Sequence, residues 1–331
     1  MNARQHTLSV AGNLGLFVGL SVLLVVLFCL DLCIGAVRFS FADIFSAADP
    51  LLRQILLNLR LPKAVTALLA GAALSVSGLL MQTLFRNPLA GPYILGVSSG
   101  ASLGVAAVVL LGTLLGFAAS SWLTIFAAIA GASVVLLLVL AFSYRLKNNV
   151  SLLIVGMMFG SIAGALVNLL QNFANPDALK LFIVWTLGSL SSVGWTQMQI
   201  LLPVCLLGML LSVVLLKPLN GLLLGENYAR SLGVNIARTR RLIVLATGLL
   251  AGSITAFCGP IAFVGVAVPH MARGLFRTSN HRITLPASAL VGANLLLLCD
   301  ILSSLFTYPL PISTVSALFG APIIIWIILK K

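Results

Sequence analysis

The chain has 331 residues, of which 60% are hydrophobic and 8% are charged, and its formal net charge is +13. Apolar runs of about twenty residues recur, each long enough to cross a bilayer as a helix, so the composition excludes a soluble globular domain. The basic residues are scattered over short segments without an aromatic-rich patch, so we expect membrane lipid and no nucleic acid as a partner.

Ten apolar segments predict an all-α, polytopic membrane protein. They lie at residues 10–34, 64–82, 94–117, 122–143, 151–172, 195–216, 242–258, 261–276, 285–305 and 312–329. Helices satisfy their own backbone hydrogen bonds in lipid, and no alternating ten-residue pattern of a membrane barrel is present. We therefore expect about ten transmembrane helices in a single domain, residues 1–331. The first segment is too long for a signal-peptide core, so we interpret it as a retained helix.

Small residues and prolines indicate how these helices pack. Glycines recur at four-residue spacing in two rows, which predicts close helix contacts within the subunit or across a dimer. The rows are Gly96, Gly100, Gly104 and Gly156, Gly160, Gly164. Pro269 lies inside the short eighth segment and predicts a broken or tilted helix there. The five cysteines lie in apolar surroundings without a paired spacing, so we expect buried thiols and no metal site.

The distribution of cationic residues predicts the orientation. An even number of spans places both termini on one side of the membrane. With the N-terminus inside, the cytosolic segments hold 14 of the 19 cations, an excess typical of the cytosolic side. These are Arg4, Arg86, Arg145, Lys147, Lys217, Arg230, Arg238, Arg240, Arg241, Arg273, Arg277, Arg282, Lys330 and Lys331. The outer segments hold Arg38, Arg53, Arg60, Lys63 and Lys180, so we predict cytosolic termini.

The sequence lacks the motifs of an enzyme or of an ion-driven transporter. No phosphate-binding GxxxxGK[ST] loop, HExxH or GxSxG motif is present, so we predict no catalytic residues and an energy source in another polypeptide. Ionisable residues in the spans are few, and Asp31, His270 and Asp300 are the main ones. Asp300 is a candidate coupling carboxylate for a proton-coupled secondary transporter. We favour a helix-end cap for it and treat that transporter as the less favoured alternative.

A short amphipathic segment at 217–241 is a candidate coupling site. LNGLLLGENYARSLGV predicts a helix, a glycine break and a second helix that starts near Glu226, whose charge suits a helix N-terminus. Leucines 222–224 form one apolar knob, and Tyr228, Leu232 and Val234 form another beside cations. This pattern is typical of a helix that docks into a groove on a soluble partner. A helix lying on lipid headgroups is the alternative.

Three cations precede the second span in the string RQILLNLRLPK. Arg53, Arg60 and Lys63 either extend to the lipid headgroups or orient an acidic partner on the outer side. The sequence alone favours neither interpretation.

Four long motifs in order resemble the FecCD family of ABC importer permeases. RLPKAVTALLAGAALSVSGLLMQTLFRNPLAGPYILGVSSGASLG resembles the opening signature of the family, and GENYARSLGVNIARTRRL resembles its coupling segment. GPIAFVGVAVPHMAR and LPISTVSALFGAPIIIWIIL are similar to its two later motifs. The resemblance extends over nearly the whole chain after the first span.

The resemblance implies a permease of the type II ABC importer class that translocates an iron-siderophore, haem or cobalamin-type ligand. It implies a second permease copy, identical or homologous, and two ATP-binding cassette subunits that bind ATP and Mg, so this chain itself needs no cofactor. A substrate-binding protein would deliver the ligand to a bacterial cytoplasmic (inner) membrane. A metal-oxyanion importer of the same architecture is the alternative.

The resemblance also implies roles for individual residues. The ATPase-coupling residues would be Leu224, Glu226, Tyr228, Ala229, Arg230, Leu232 and Gly233. Binding-protein docking would fall to Arg53, Arg60 and Lys63. The segment Asn148–Ser151 would narrow the cytosolic end of the path. The path and gate candidates are Gln82, Asn87, Ser98, Ser99, Asn149, Ser151, Asn168 and Gln171.

The chain departs from the family pattern at three positions. Lys63 replaces the second arginine of RLPR, which removes a planar, two-pronged donor. Ser304 stands where an arginine is frequent, and Ser313 stands where glycine is usual. These departures predict one fewer anchoring cation for a binding protein.

Overall fold

The computed structural model describes residues 10–35, 50–114, 120–146, 149–306 and 308–329, and every regular element in these ranges is helical. The α-helices are α1 (Val10–Cys33), α2 (Pro50–Ile55), α3 (Leu61–Phe85), α4 (Val97–Leu114), α5 (Ser121–Arg145), α6 (Asn149–Phe173), α7 (Pro176–Thr186), α8 (Trp195–Val214), α9 (Leu216–Leu223), α10 (Glu226–Ser231), α11 (Ile236–Thr247), α12 (Ser253–Cys258), α13 (Val264–Phe276), α14 (His281–Ser304) and α15 (Ile312–Leu329). Arg4, Arg38, Lys147, Asn148, Lys330 and Lys331, which entered the sequence predictions, lie outside the described residues.

Each of the ten predicted apolar segments contains a helix, which confirms the all-α, multi-pass prediction. Among the described residues, seven helical stretches are long and apolar enough to cross a membrane. They are Gly12–Cys33, Pro50–Phe85, Ser121–Arg145, Asn149–Phe173, Trp195–Val214, Ile236–Cys258 and His281–Ser304. Val97–Gly112 and Ile312–Ile325 are shorter apolar helices.

Helix α7 was not predicted from the sequence. It is short and carries Asp177 and Lys180, so hydropathy alone predicts a loop there. A local signal for it exists, because the Asn175 side chain accepts a hydrogen bond from the Ala178 N–H at 2.8 Å and Pro176 occupies the first helical position. Asparagine caps and N-terminal prolines mark helix starts.

The chain forms two compact units. One comprises residues 1–79, 190–200 and 262–331, and the other comprises residues 80–189 and 201–261. The first unit contains α1, α13, α14 and α15, and the second contains α4 to α7 and α9 to α12.

In the second unit, the predicted glycine rows mediate close helix contacts. A Cβ atom at Gly100 would meet the Gly131 carbonyl of α5, and one at Gly96 would meet Gly156 and Gly160 of α6. The packing interpretation is thus confirmed for these glycines within the subunit. Gly164 has no atom of the structurally described part of the chain within 4 Å of its Cβ position, so it takes no part in these contacts.

In the first unit, the break expected at Pro269 does not occur. Helix α13 continues through Pro269 from Val264 to Phe276. Proline removes the hydrogen bond to the carbonyl four residues earlier, that of Gly265. This carbonyl lies directly against Gly78 of α3, where no side chain separates the two backbones. The irregular backbone lies instead at Phe263, just before the helix, where φ is 65°.

We expect Gly78→Ala to destabilise the protein, because the new Cβ would overlap the Gly265 carbonyl. Overpacking of this kind costs about 1–3 kcal/mol or more. Thermal unfolding of the purified protein in detergent measures the loss. Gly19→Ala on α1 is the matched control, because no atom of the described residues lies within 4 Å of its Cβ position. Equal melting temperatures for the two variants would contradict the close contact.

A single π-helical turn at Leu56–Arg60 precedes α3, directly before Pro62. The Leu61 N–H bonds to the Leu56 carbonyl, five residues back, and Pro62 has no N–H to offer the Leu57 carbonyl. The indole Nε1 of Trp195 donates to that carbonyl at 2.8 Å. The turn is therefore held by a side chain from the start of α8.

The predicted helix, glycine break and second helix are confirmed in the 217–241 segment. Helix α9 ends at Leu223, and α10 begins at Glu226. Gly225 between them has φ 114°, a conformation that side-chain-bearing residues rarely adopt. Asn235 then caps α11 by accepting from the Arg238 N–H at 3.0 Å.

Candidate functional site

The α9–α10 segment presents an apolar surface flanked by charge. Leu224, Tyr228 and Leu232 are 63%, 52% and 59% exposed, and Arg230 and Gly233 are also exposed. Ala229 is fully buried and faces α9, since its Cβ lies 3.5 Å from the Cβ position of Gly221. Six of the seven predicted coupling residues thus lie at the surface to some extent, and Ala229 supports them from below.

Glu226, the first residue of α10, is held by two side chains from other helices. The Asn149 Nδ2 group donates to Glu226 Oε1 at 2.5 Å, and Arg240 Nη2 lies 3.9 Å from the same oxygen. Asn149 is the first residue of α6, and Arg240 lies in α11. The carboxylate therefore connects the coupling segment to the start of α6 and to α11.

The same two side chains satisfy the ends of two more helices. Asn149 Nδ2 also donates to the Leu84 carbonyl in the last turn of α3 at 2.8 Å. Arg240 Nη1 donates to the Leu146 carbonyl, just after α5, at 2.7 Å. Carbonyl groups at helix C-termini lack partners within the helix, so these contacts fix both helix ends.

Arginines near the segment add contacts. The Arg86 guanidinium lies 3.3 Å from the Cβ position of Gly225, so the conformation at the glycine break also leaves room for this cation. The Arg241 guanidinium lies 4.5 Å from the centre of the Tyr144 ring, a distance typical of a cation–π contact. The sequence placed both arginines among the cytosolic cations but indicated no partner for either.

The predicted path residues are distributed over the second unit. Asn149 and Ser151 begin α6, and Asn168 and Gln171 lie near its other end, a rise of about 28 Å from Asn149 to Asn168. Asn168 is exposed, whereas Gln82 in α3 is 4% exposed.

The remaining path candidates lie between α3 and α4 and in the first turn of α4. The Asn87 side chain accepts from the Leu89 N–H at 2.9 Å, which makes it a turn-forming residue. Ser98 and Ser99 are half-buried on α4. The Ser99 Oγ atom lies 3.4 Å from the Cβ position of Gly160 in α6, so this serine lies at a helix contact.

In the first unit, two of the three predicted docking cations line one cavity. The cavity has a volume of about 300 Å³, and its polar lining includes Asp31, Arg60, Lys63 and Ser304. Arg60 Nη1 donates to the Leu32 carbonyl at 2.6 Å. Arg53 is exposed on α2 and does not line this cavity.

Lys63 is paired within the chain. Its ammonium group lies 2.9 Å from Asp300 Oδ1 and donates to Ser304 Oγ at 2.8 Å. Asp300 lies inside α14 with 4% of its side chain exposed, so the interpretation as a helix-end cap is wrong. The ammonium group of Lys63 neutralises a buried carboxylate, and Ser304 is its second partner.

The vitamin B12 import system permease protein BtuC of Citrobacter koseri is 40% identical to this chain over 317 residues, covering 94% of this chain and 93% of the relative. BtuC of Escherichia coli O157:H7 is 40% identical over 314 residues, 94% of each chain. Among solved structures, a metal-chelate type ABC transporter in an inward-facing conformation matches with a TM-score of 0.86 and 34% identity, covering 96% of this chain and 99% of that chain.

These matches and the multi-pass helical fold define a membrane permease. The relatives are permease components rather than enzymes. The model of the FecCD transport family matches residues 23–330. The chain belongs to the FecCD transport family.

Proposed function

We propose that this chain is the permease subunit of an ATP-driven importer for a cobalamin-type or other large metal-chelate ligand. The observation that carries the proposal is the match along nearly the whole chain to vitamin B12 import permeases. The structural match to a metal-chelate type transporter supports the same ligand class. Iron-siderophores and haem belong to this class of ligand, and a metal oxyanion is the alternative cargo.

The energy would come from two ATPase subunits that bind ATP and Mg and dock on the α9–α10 segment. The exposed Leu224, Tyr228 and Leu232 side chains supply an apolar surface for a groove on such a partner. A second permease copy would complete the path, with the chain acting as one transmembrane domain. Cytosolic termini in a bacterial inner membrane would place this segment on the side that contains ATP.

A substrate-binding protein would dock at the cavity that contains Arg60 and Lys63. Cations at a protein rim orient an acidic partner. Because Lys63 already contacts Asp300, a carboxylate of the binding protein would compete with an internal partner. The ion pair also gives Asp300 a structural role, so we do not propose proton-coupled transport.

Uptake into proteoliposomes tests the proposal. The permease, purified with its own ATPase and binding protein, is offered radiolabelled cyanocobalamin, a ferric hydroxamate siderophore, haem or molybdate. We expect ATP-dependent uptake of one of the chelates that persists when an uncoupler dissipates the proton gradient. Uptake of molybdate alone would favour the oxyanion alternative. Uptake that needs the proton gradient and no ATP would overturn the proposal.

A further inference from the structure

We propose that Asn149 is a positioning residue that couples the α9–α10 segment to α6 and α3, rather than a residue that contacts the transported ligand. This inference rests on the proposed docking of ATPase subunits. It follows from the two hydrogen bonds that one amide group makes to two different elements.

The orientation of the Asn149 amide is fixed by its partners. The Glu226 carboxylate and the Leu84 carbonyl are both acceptors, so the NH₂ group must face them. The bond to Glu226 is charge-assisted, and such bonds are roughly twice as strong as neutral ones. Only 9% of Asn149 is exposed, so water competes little for these contacts.

The position of Asn149 turns this bond into a mechanical connection. It is the first residue of α6, and its other partner lies in the last turn of α3. A hydrogen bond weakens steeply once its atoms separate beyond about 3.5 Å. A shift of α10 by more than about 1 Å must therefore carry the start of α6 with it or break the contact.

Arg240 links a further helix end, that of α5, to Glu226. It holds the Leu146 carbonyl while its other nitrogen faces Glu226, so the end of α5 responds to the same carboxylate. Leu146 and Asn149 flank the α5–α6 connection. Both are thus linked to Glu226, Asn149 directly and Leu146 through Arg240. Movement of α10 would displace both ends of this connection together.

The test measures uptake per ATP hydrolysed by the complete transporter in proteoliposomes. Asn149→Asp keeps the size of the side chain but places a carboxylate against Glu226. We expect ATPase subunits to remain bound and to hydrolyse ATP, while uptake per ATP falls about tenfold, as expected for loss of a hydrogen bond to a charged group. Adding Glu226→Gln should recover part of the loss, because the Gln amide can donate to the carboxylate introduced at position 149, with the polarity of the bond reversed.

Two further measurements keep the test decisive. Asn175→Asp is the matched control, because Asn175 caps α7 at the surface and aspartate also caps helices, so uptake per ATP should not change. If Asn149→Asp does not fold, Asn149→Ala, Glu226→Ala and the double variant form a cycle. A double variant no worse than either single variant supports the connection, and multiplied losses overturn it.

Unchanged uptake per ATP in Asn149→Asp, or no recovery with Glu226→Gln in assembled complexes, would also overturn the inference. Failure of the proposed function is distinguishable from these outcomes. In that case the wild-type complex would bind no ATPase subunit and show no ATP-dependent uptake.

Discussion

Glu226→Arg is expected to abolish ATP-driven uptake while the protein still inserts into the membrane. The substitution removes the acceptor for Asn149 and places a second cation near Arg240, which now lies 3.9 Å from the carboxylate. Like charges at such a distance repel each other, most strongly where water is excluded. Deletion of residues 226–233 should have the same effect, because it removes α10 entirely. Uptake of the labelled chelate and membrane content of the permease are measured in parallel.

The control for this prediction reverses a charge elsewhere. Arg282 is exposed at the start of α14, in the other compact unit, so Arg282→Glu should leave uptake close to that of the wild type. Normal uptake by the Glu226→Arg variant would refute the role of the α9–α10 segment. Loss of the protein from the membrane would instead assign Glu226 a role in folding.

Lys63→Met is expected to destabilise the folded permease. The substitution leaves the Asp300 carboxylate, 4% exposed, without its ammonium partner, and Asp31 lines the same cavity. Removing one member of a buried ion pair costs about 3–5 kcal/mol, because the remaining charge is uncompensated. We expect a lower yield and an earlier thermal transition in detergent than for the wild type.

A charge exchange separates stability from docking. Lys63→Asp combined with Asp300→Lys retains an ion pair but moves the cation from α3 to α14. We expect this double variant to recover most of the stability lost in Lys63→Met, and to bind the substrate-binding protein more weakly. If affinity for the binding protein stays at the wild-type level across salt concentrations, Lys63 serves only to neutralise Asp300.

The sequence predicted the features that depend on local pattern. Hydropathy located ten helical segments. The break at Gly225 between α9 and α10 was also predicted, because a glycine between two amphipathic stretches is a local signal. The helical stretches of the second and seventh segments start earlier than predicted, at Pro50 and Ile236, because they continue beyond the most apolar residues. The polar flanks of these helices carry no hydropathy signal.

The features that the sequence did not predict depend on distant partners. Asp300 was interpreted as a helix cap because nothing near it in the chain shows Lys63, and the second partner of Lys63, Ser304, lies 241 residues away. A broken or tilted helix was expected at Pro269, and the helix is not broken there. The sequence does not show that the freed Gly265 carbonyl lies against Gly78. The presence of Lys63 and Ser304 in place of arginines predicted one fewer anchoring cation for a binding protein. These two residues instead contact each other.

The π turn at Leu56–Arg60 also sets the rotational phase of the segment before it. In an uninterrupted α-helix, residues seven apart lie on nearly the same face, which would align Arg53 with Arg60. A π turn contains one residue more than an α turn, so it rotates the preceding residues by roughly 100° about the helix axis. The three cations of RQILLNLRLPK are therefore divided between two directions. Arg60 and Lys63 line the cavity, and Arg53 is exposed at the surface outside it.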